Sequence, residues 1–384
     1  MSPERVARVR ALLPETSPGG GKDFLDAPIA SPMSIFPEFR TARSFGLDAL
    51  GTFVVEVETS SGEVGIGVST GGAPACWLVE HSFAPLVEGR PLDALEEIWE
   101  RMWRSSLFFG GKGLHLNALS AVDLALWDAR GRVRGEPVFR LAGGAAREEI
   151  RFYATGPDPL RAAAGGFAGV KVSLGQAGLE AELRLVADIR RTVPDGVFVA
   201  LDCWMALDLR RALDLVDAIR GLGLRWVEEC LPPDDLVGYR QLREHARGDV
   251  LVATGEHDAT RHGFRVLAEL GCCDVYQPDV RWCGGFTEAL AIARESAARG
   301  ALVIPHGAGP FGFHLVAALS EETTPVAELQ LPSGAVEPSF AGLFAREPLP
   351  SGGVLAIEEL DAPGFGLDLA ADAALVRPFP RGDD

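Results

Sequence analysis

Two early segments, TFVVEVET (52–59) and EVGIGVST (63–70), alternate apolar and polar positions and are separated by Ser60, Ser61 and Gly62. Period-two alternation across a short Gly-containing turn predicts an antiparallel hairpin. From about 77 to 143 the apolar positions recur at helical spacing, as in LEEIWERMW and NALSAVDLALWDARGRV. Strands followed by helices form an α+β unit. From about 150 the pattern changes to short apolar runs between amphipathic stretches. The runs are IRFYATG (150–156), GVKVSL (169–174), VFVALD (197–202), RWVEEC (225–230), VLVATG (250–255), DVYQPD (274–279), LVIPH (302–306) and VAELQL (326–331). Helical segments such as LEAELRLVADIRR and FTEALAIARESAARG lie between most of them. Eight strands joined by crossovers predict an α/β fold of the (β/α)8-barrel type, with a doubly wound sheet as the alternative. The barrel is favoured because polar residues end many different strands and no GxGxxG follows the first. Beyond 332 the chain is rich in Pro and Gly and is expected to leave the barrel for the N-terminal unit.

Composition narrows the partners. The 384 residues are 47% hydrophobic, enough for one large or two moderate domains. A formal net charge of −18 argues against nucleic acid and anionic membranes, whereas an anionic substrate fits if a bound cation reverses the field locally. No apolar run approaches the roughly 20 residues of a membrane span. The opening MSPERVARVRALLPETSPGGG lacks the apolar core of a signal peptide, so a cytoplasmic location is expected. The six cysteines are not at CxxC spacing and read as core residues rather than a thiolate metal site.

The charged residues at the strand ends carry the candidate chemistry. Asp202 ends the third predicted strand, Glu228 and Glu229 end the fourth, and Glu256 follows the fifth. Each acid alone could be a helix cap or a solvated loop residue. Three on adjacent strands of a barrel meet at one mouth, where their mutual repulsion calls for a hard divalent cation such as Mg²⁺. Asp279 and His306 end the sixth and seventh strands, an arrangement in which the carboxylate fixes the imidazole tautomer and makes a base. Glu328 lies inside the eighth strand and must face the mouth or be paired. Lys171, in the second strand, is one of three lysines; it reads equally as a site residue or a salt-bridged one. His257, next to Glu256, can face substrate from a loop or serve structure only.

The ordered set Lys171, Asp202, Glu228, Glu256, Asp279, His306, Glu328 resembles the mandelate racemase branch of the enolase superfamily, and within it the L-rhamnonate dehydratases. The stretches that carry the resemblance are SPMS (31–34), SFGLDALGTFVVEVE (44–58), ALSAVDLALWD (118–128), IRFYATG, LDCWMALD (201–208), WVEECLPPDD (226–235), TGEHDAT (254–260), QPDVRWCGG (277–285), IPHG (304–307) and DAPGFGLDL (361–369). The resemblance implies an α+β capping domain over 1–145, a modified (β/α)7β barrel over 146–335, and a segment, 336–384, that returns to the cap. It implies Asp202, Glu228 and Glu256 as Mg²⁺ ligands, Asp279 and His306 as the base dyad, and Lys171 as the first lysine of a KxK motif. Glu328 becomes the acid that stabilises the intermediate, expected as a neutral hydrogen-bond donor. The implied reaction removes water from a sugar acid to give a 2-keto-3-deoxy acid. An epimerase, a cycloisomerase or an inactive sugar-acid-binding homologue are the alternatives, and a homo-oligomer is the default assembly. Two departures stand out. Ser173 replaces the second lysine of KxK, which disfavours two-base racemisation. The loop GGGKDFLDAPIA (19–30) has no histidine, and the family's arginine just before SFG has its nearest counterpart in Arg43, shifted by one position, with Arg40 as an alternative. Arg43 and His257 are the expected substrate-binding residues.

Overall fold

The computed structural model describes residues 3–15, 30–39, 50–175 and 179–382. Arg43, Arg40 and most of the loop 19–30 lie outside them.

The predicted hairpin is present as β2 (Thr52–Thr59) and β3 (Val64–Thr70), and β1 (Val6–Pro14) pairs with β2 to make an antiparallel meander. The helix Leu114–Arg134 lies on this sheet. Its contact is backbone to backbone: a Cβ at Gly65 would stand 2.2 Å from the Ala125 carbonyl oxygen, and one at Gly67 2.0 Å from that of Ala121. Glycine in the strand and alanine in the helix therefore set the depth of packing.

The eight expected barrel strands all form. They are β4 (Glu149–Thr155), β5 (Gly169–Ser173), β6 (Phe198–Asp202), β7 (Trp226–Glu228), β8 (Leu251–Thr254), β9 (Val275–Tyr276), β10 (Leu302–Val303) and β11 (Ala327–Gln330). All neighbours pair in parallel, in the order β10-β9-β8-β7-β6-β5-β4-β11. Parallel pairing requires crossovers, and among the described residues an α-helix follows every strand from β4 to β10 but none follows β11, giving (β/α)7β. The sheet curls on itself. Tyr153, Ala200, Trp226, Ala253, Val275, Ile304 and Val326, one from each of seven strands or their immediate flanks, form a single buried cluster that fills the barrel floor. Gly307 N donates to Glu328 Oε2 at 2.9 Å across the seam between β10 and β11.

After β11 the chain adds β12 (Val354–Ala356), antiparallel to β4, and then β13 (Leu375–Val376), which pairs with β1 at the edge of the N-terminal sheet. Arg377 and Arg381 both reach the buried Glu80. The tail thus completes the cap, by two residues of strand and an ion-pair cluster. No helix among the described residues is long and apolar enough to cross a membrane.

The cap docks on the segment that follows β9. Ser69 Oγ donates to Arg281 O at 2.7 Å, Trp99 Nε1 to Gly284 O at 2.7 Å, and Gly284 N to Ser120 Oγ at 3.0 Å. Asp123 accepts from Thr287 N at 2.9 Å and from its hydroxyl at 2.6 Å. This segment begins two residues beyond Asp279, so the cap fixes the chain that leaves one of the candidate site residues.

Candidate active site

Ladder register brings the acids together. Ser173 pairs with Asp202, and Asp202 with Glu228, so the last residues of β5, β6 and β7 stand level. The helix-cap reading applies elsewhere: Asp158, Asp208 and Asp235 each cap a barrel helix through the side chain. Asp202 and Glu228 instead face Lys171, a fully buried lysine that ion-pairs with Glu228, with Glu328 at 3.0 Å and with Asp202 at 3.4 Å. Glu228 also accepts from Trp226 Nε1 at 2.9 Å and Gln277 Nε2 at 2.8 Å. Glu229 turns away at φ 44 and accepts from Thr254 Oγ1 at 2.6 Å and Gly255 N at 2.9 Å. Of the two adjacent glutamates, only Glu228 belongs to the cluster.

Burial raises the carboxyl pKa of Asp202 well above the ordinary range, and Lys171 only partly offsets the effect of burial together with the Glu228 and Glu256 charges. Glu228 is raised for the same reasons, with Glu328 and Glu256 as its acidic neighbours. Three carboxylates, Asp202, Glu228 and Glu328, thus share one lysine, while Glu256 lies beside His257 and His306. Among the described residues no three His, Cys, Asp or Glu side chains are gathered tightly enough to hold an ion as they stand; the Lys171 ammonium lies between Asp202 and Glu228 instead. The donor set is all oxygen and carries excess negative charge, which fits a hard divalent cation.

Glu328 departs from expectation. It accepts from Thr155 Oγ1 at 2.5 Å, from Gly307 N at 2.9 Å and from Lys171. Burial pushes its pKa up, but Lys171, His306 and these donors outweigh it and bring the carboxyl down to about 2. In this geometry its carboxyl oxygens accept hydrogen bonds rather than donate them.

On the opposite wall, His306 Nδ1 lies 2.8 Å from Asp279 Oδ2. Asp279 is fully buried and also accepts from Arg281 N at 2.7 Å, Arg281 Nε at 3.2 Å and Arg281 Nη2 at 2.8 Å. Burial alone would raise its pKa; Arg281 and His306 hold it far below the usual carboxylate range. The other nitrogen, His306 Nε2, lies 3.5 Å from Glu256 Oε2 and 3.2 Å from Gln330 Nε2. Burial lowers the imidazole pKa, but Glu256, Asp279 and Glu328 lift it to about 10. His257 sits beside this wall, its Nδ1 3.3 Å from Glu256 Oε1 and 3.7 Å from Glu229 Oε2. These acids outweigh burial and raise it to about 9.

The structure therefore brings Lys171, Asp202, Glu228, Glu256, Asp279, His306 and Glu328 to one barrel mouth, with His257 on its rim. Three neighbours were not singled out from sequence. Trp282 stacks on His306 at 5.2 Å between centroids and lies 5.7 Å from His257. Arg281 grips Asp279. Gln330 follows Glu328 at the i+2 spacing that keeps a strand residue on the same face, a signal that could have revealed it. A separate cavity of about 470 Å³, lined by Trp77, Phe109, Lys112 and His115 among others, has no carboxylate among the described residues that line it.

The family described as mandelate racemase / muconate lactonizing enzyme, N-terminal domain, matches residues 44–143, and the one described as enolase C-terminal domain-like matches residues 159–373. The chain belongs to the enolase superfamily, in its mandelate racemase / muconate lactonizing enzyme branch. Among solved structures of this superfamily, it is similar to rhamnonate dehydratase from Gibberella zeae complexed with Mg, with 37% identity, coverage of 97% of this chain and 96% of that one, and a TM-score of 0.92. A second structure of L-rhamnonate dehydratase from Gibberella zeae gives 38% identity, 97% and 95% coverage, and a TM-score of 0.91. A racemase from Streptomyces coelicolor A3(2) with bound magnesium is 25% identical over 95% of this chain and 97% of that one, with a TM-score of 0.78.

Proposed function

We propose that this enzyme is a Mg²⁺-dependent sugar acid dehydratase of the L-rhamnonate dehydratase type, which abstracts the C2 proton and eliminates the 3-hydroxyl. The observation that carries the reading is the Asp279–His306 pair facing a carboxylate cluster with more negative charge than Lys171 balances. Asp202, Glu228 and Glu256 would hold the ion. When bound, Mg²⁺ supplies the positive charge that stabilises an enediolate and offsets the Glu256 charge beside His306.

The remaining chemistry belongs to side chains. Asp279 fixes the proton on His306 Nδ1 and leaves Nε2 as the base. Nε2 takes the C2 proton, and the C–H electron pair becomes the double bond of the enediolate, the role that a His or Lys base has in enolase-superfamily sites. Lys171 places a fixed positive charge beneath that site. The C2=C3 bond then forms, the C3–O bond breaks with its electron pair on oxygen, and the proton on His306 completes the departing water. The enol tautomerises to a 2-keto-3-deoxy acid. On β5, Ser173 takes the position of the second lysine in the KxK motif that the resemblance implies, and a serine is no base on the second face, which supports dehydration over racemisation.

The test is a screen of acid sugars with Mg²⁺, with and without a chelator, following keto acid formation. Turnover should vanish on chelation and return with Mg²⁺. His306→Asn should cost about 10²–10⁴-fold in dehydration and abolish exchange of the C2 hydrogen with solvent deuterium. Surviving exchange would assign the base elsewhere, and epimerised product would replace the dehydratase reading. Because the loop before Ala30 lacks the histidine of rhamnonate dehydratases, L-mannonate or L-lyxonate should be dehydrated at least as well as L-rhamnonate. A preference for L-rhamnonate of roughly tenfold in kcat/KM, about 1.4 kcal/mol, would contradict this.

A further inference from the structure

Gln330 ends β11, two residues beyond Glu328, so the two side chains share the face of the strand that lines the mouth. They differ in depth: Glu328 is buried against Lys171, whereas Gln330 is exposed. Gln330 Nε2 approaches His306 Nε2 to 3.2 Å. With Nδ1 committed to Asp279, Nε2 carries the lone pair whenever His306 is neutral, and in that state the Gln330 amide N–H donates to it; when both ring nitrogens hold protons, the amide turns its oxygen to Nε2–H instead. The amide therefore occupies the open side of the nitrogen that has to meet the substrate.

What must approach that nitrogen is fixed by the reaction. C2–H comes first; if the same imidazole returns its proton, the oxygen on C3 comes next. We infer that Gln330 is a catalytic residue for the second half of dehydration: its amide leaves His306 when substrate enters and donates a hydrogen bond to the 3-hydroxyl, holding that oxygen toward His306 as it departs. No proton passes through Gln330. The C3–O electron pair goes to oxygen, the proton comes from His306 Nε2, and the amide only stabilises the charge developing on the leaving oxygen. A side-chain amide suits this position because it neither competes for the C2 proton, as a carboxylate would, nor repels a protonated imidazole, as a lysine would. The inference rests on the dehydratase reading above.

The experiment compares wild type with Gln330→Leu and Gln330→Asn, each with Mg²⁺ in deuterium oxide, on the best acid sugar and on its 3-deoxy analogue. Both products of C2 proton removal are followed, keto acid and deuterated starting acid. In Gln330→Leu the ratio of C2 exchange to dehydration should rise about tenfold, the effect of one lost hydrogen bond to a developing charge. Gln330→Asn should move the same way. Exchange of the 3-deoxy acid, which has no leaving oxygen to hold, should match wild type in both variants. Equal losses of exchange and dehydration, or slowed exchange of the 3-deoxy acid, would place the action of Gln330 on His306 itself and overturn the inference. An unchanged ratio in Gln330→Leu would also overturn it. Failure of wild type to dehydrate any acid sugar would instead overturn the dehydratase reading, so the two failures are distinct.

Discussion

Asp279 accepts from three nitrogens of Arg281 as well as from His306, and Arg281 Nη2 also donates to the Gly307 carbonyl at 3.2 Å. One guanidinium thus braces both the dyad carboxylate and the peptide beyond the base. Arg281→Met should lower kcat about 10–100-fold, as loss of an orienting partner does, with KM little changed. C2 exchange should fall in parallel with dehydration, because the defect lies in placing the base. A wild-type kcat would show that Asp279 needs no brace. The two adjacent glutamates give a second prediction. Glu228→Gln should weaken Mg²⁺ binding, whereas Glu229→Gln, altering a group tied to Thr254 and Gly255, should leave Mg²⁺ affinity near wild type. Titration of both chelated proteins with Mg²⁺ checks this, and the reverse order would exchange their roles. The strand-end acids were legible because a charge that ends an apolar run has few places to go. The acceptor role of Glu328 was not, since it depends on Thr155, Gly307 and Lys171, all distant in sequence. Neither was the grip of Arg281 on Asp279, because an i+2 contact depends on the turn the chain makes after β9.

At the scale of elements, the eight barrel strands were readable because parallel strands buried on both faces are continuous apolar runs. The short strands β12 and β13 were not, because two or three residues in a Pro- and Gly-rich tail leave no period to count. The resemblance, not the pattern, carried the expectation that the tail rejoins the cap. The CGG that follows Trp282 acquires a physical reason only in three dimensions. Gly285 sits at φ +87, and a Cβ there would stand 2.4 Å from Asp123 Oδ2 in the cap helix. Gly285→Ala therefore meets both a left-handed backbone and a blocked interface. It should destabilise the protein by about 2 kcal/mol or more and reduce activity with it, because the docked segment leads directly from Asp279. Thermal unfolding and kcat measured on the same preparation check this. An unchanged melting temperature would mean that the cap yields at this contact.

Across the whole molecule, stability should depend on pH through groups far from the barrel mouth. His314 is fully buried beneath Phe139 and Phe365, accepts from Phe139 N on Nδ1 at 3.3 Å, and has no partner for Nε2 among the described residues. Burial lowers its pKa to about 3, and lowers that of His115 to about 4. Both must be neutral in the fold, whereas in the unfolded chain a histidine takes a proton near pH 6.5. The unfolded state therefore binds more protons in between, and stability falls as pH drops from about 6.5 toward 3 for His314 and toward 4 for His115, by up to about 1.4 kcal/mol per pH unit for each histidine. Asp123 acts with the opposite sign. Its carboxyl is raised to about 7 by burial, so the folded state is the one that holds the proton as pH falls below that value. The raw pH profile mixes these contributions, and the difference between two proteins separates them. His314→Phe keeps an aromatic ring against Phe139 and Phe365 and removes one titrating group. Its absolute stability should be lower, because Phe139 N loses an acceptor. Between pH 4 and 6, however, its stability should fall less steeply than wild type, by about 1.4 kcal/mol per unit. Urea unfolding of chelated protein at several pH values measures both slopes without a contribution from ion release. Parallel slopes would show that His314 is protonated in the fold as readily as in the unfolded chain, and that acid sensitivity arises elsewhere.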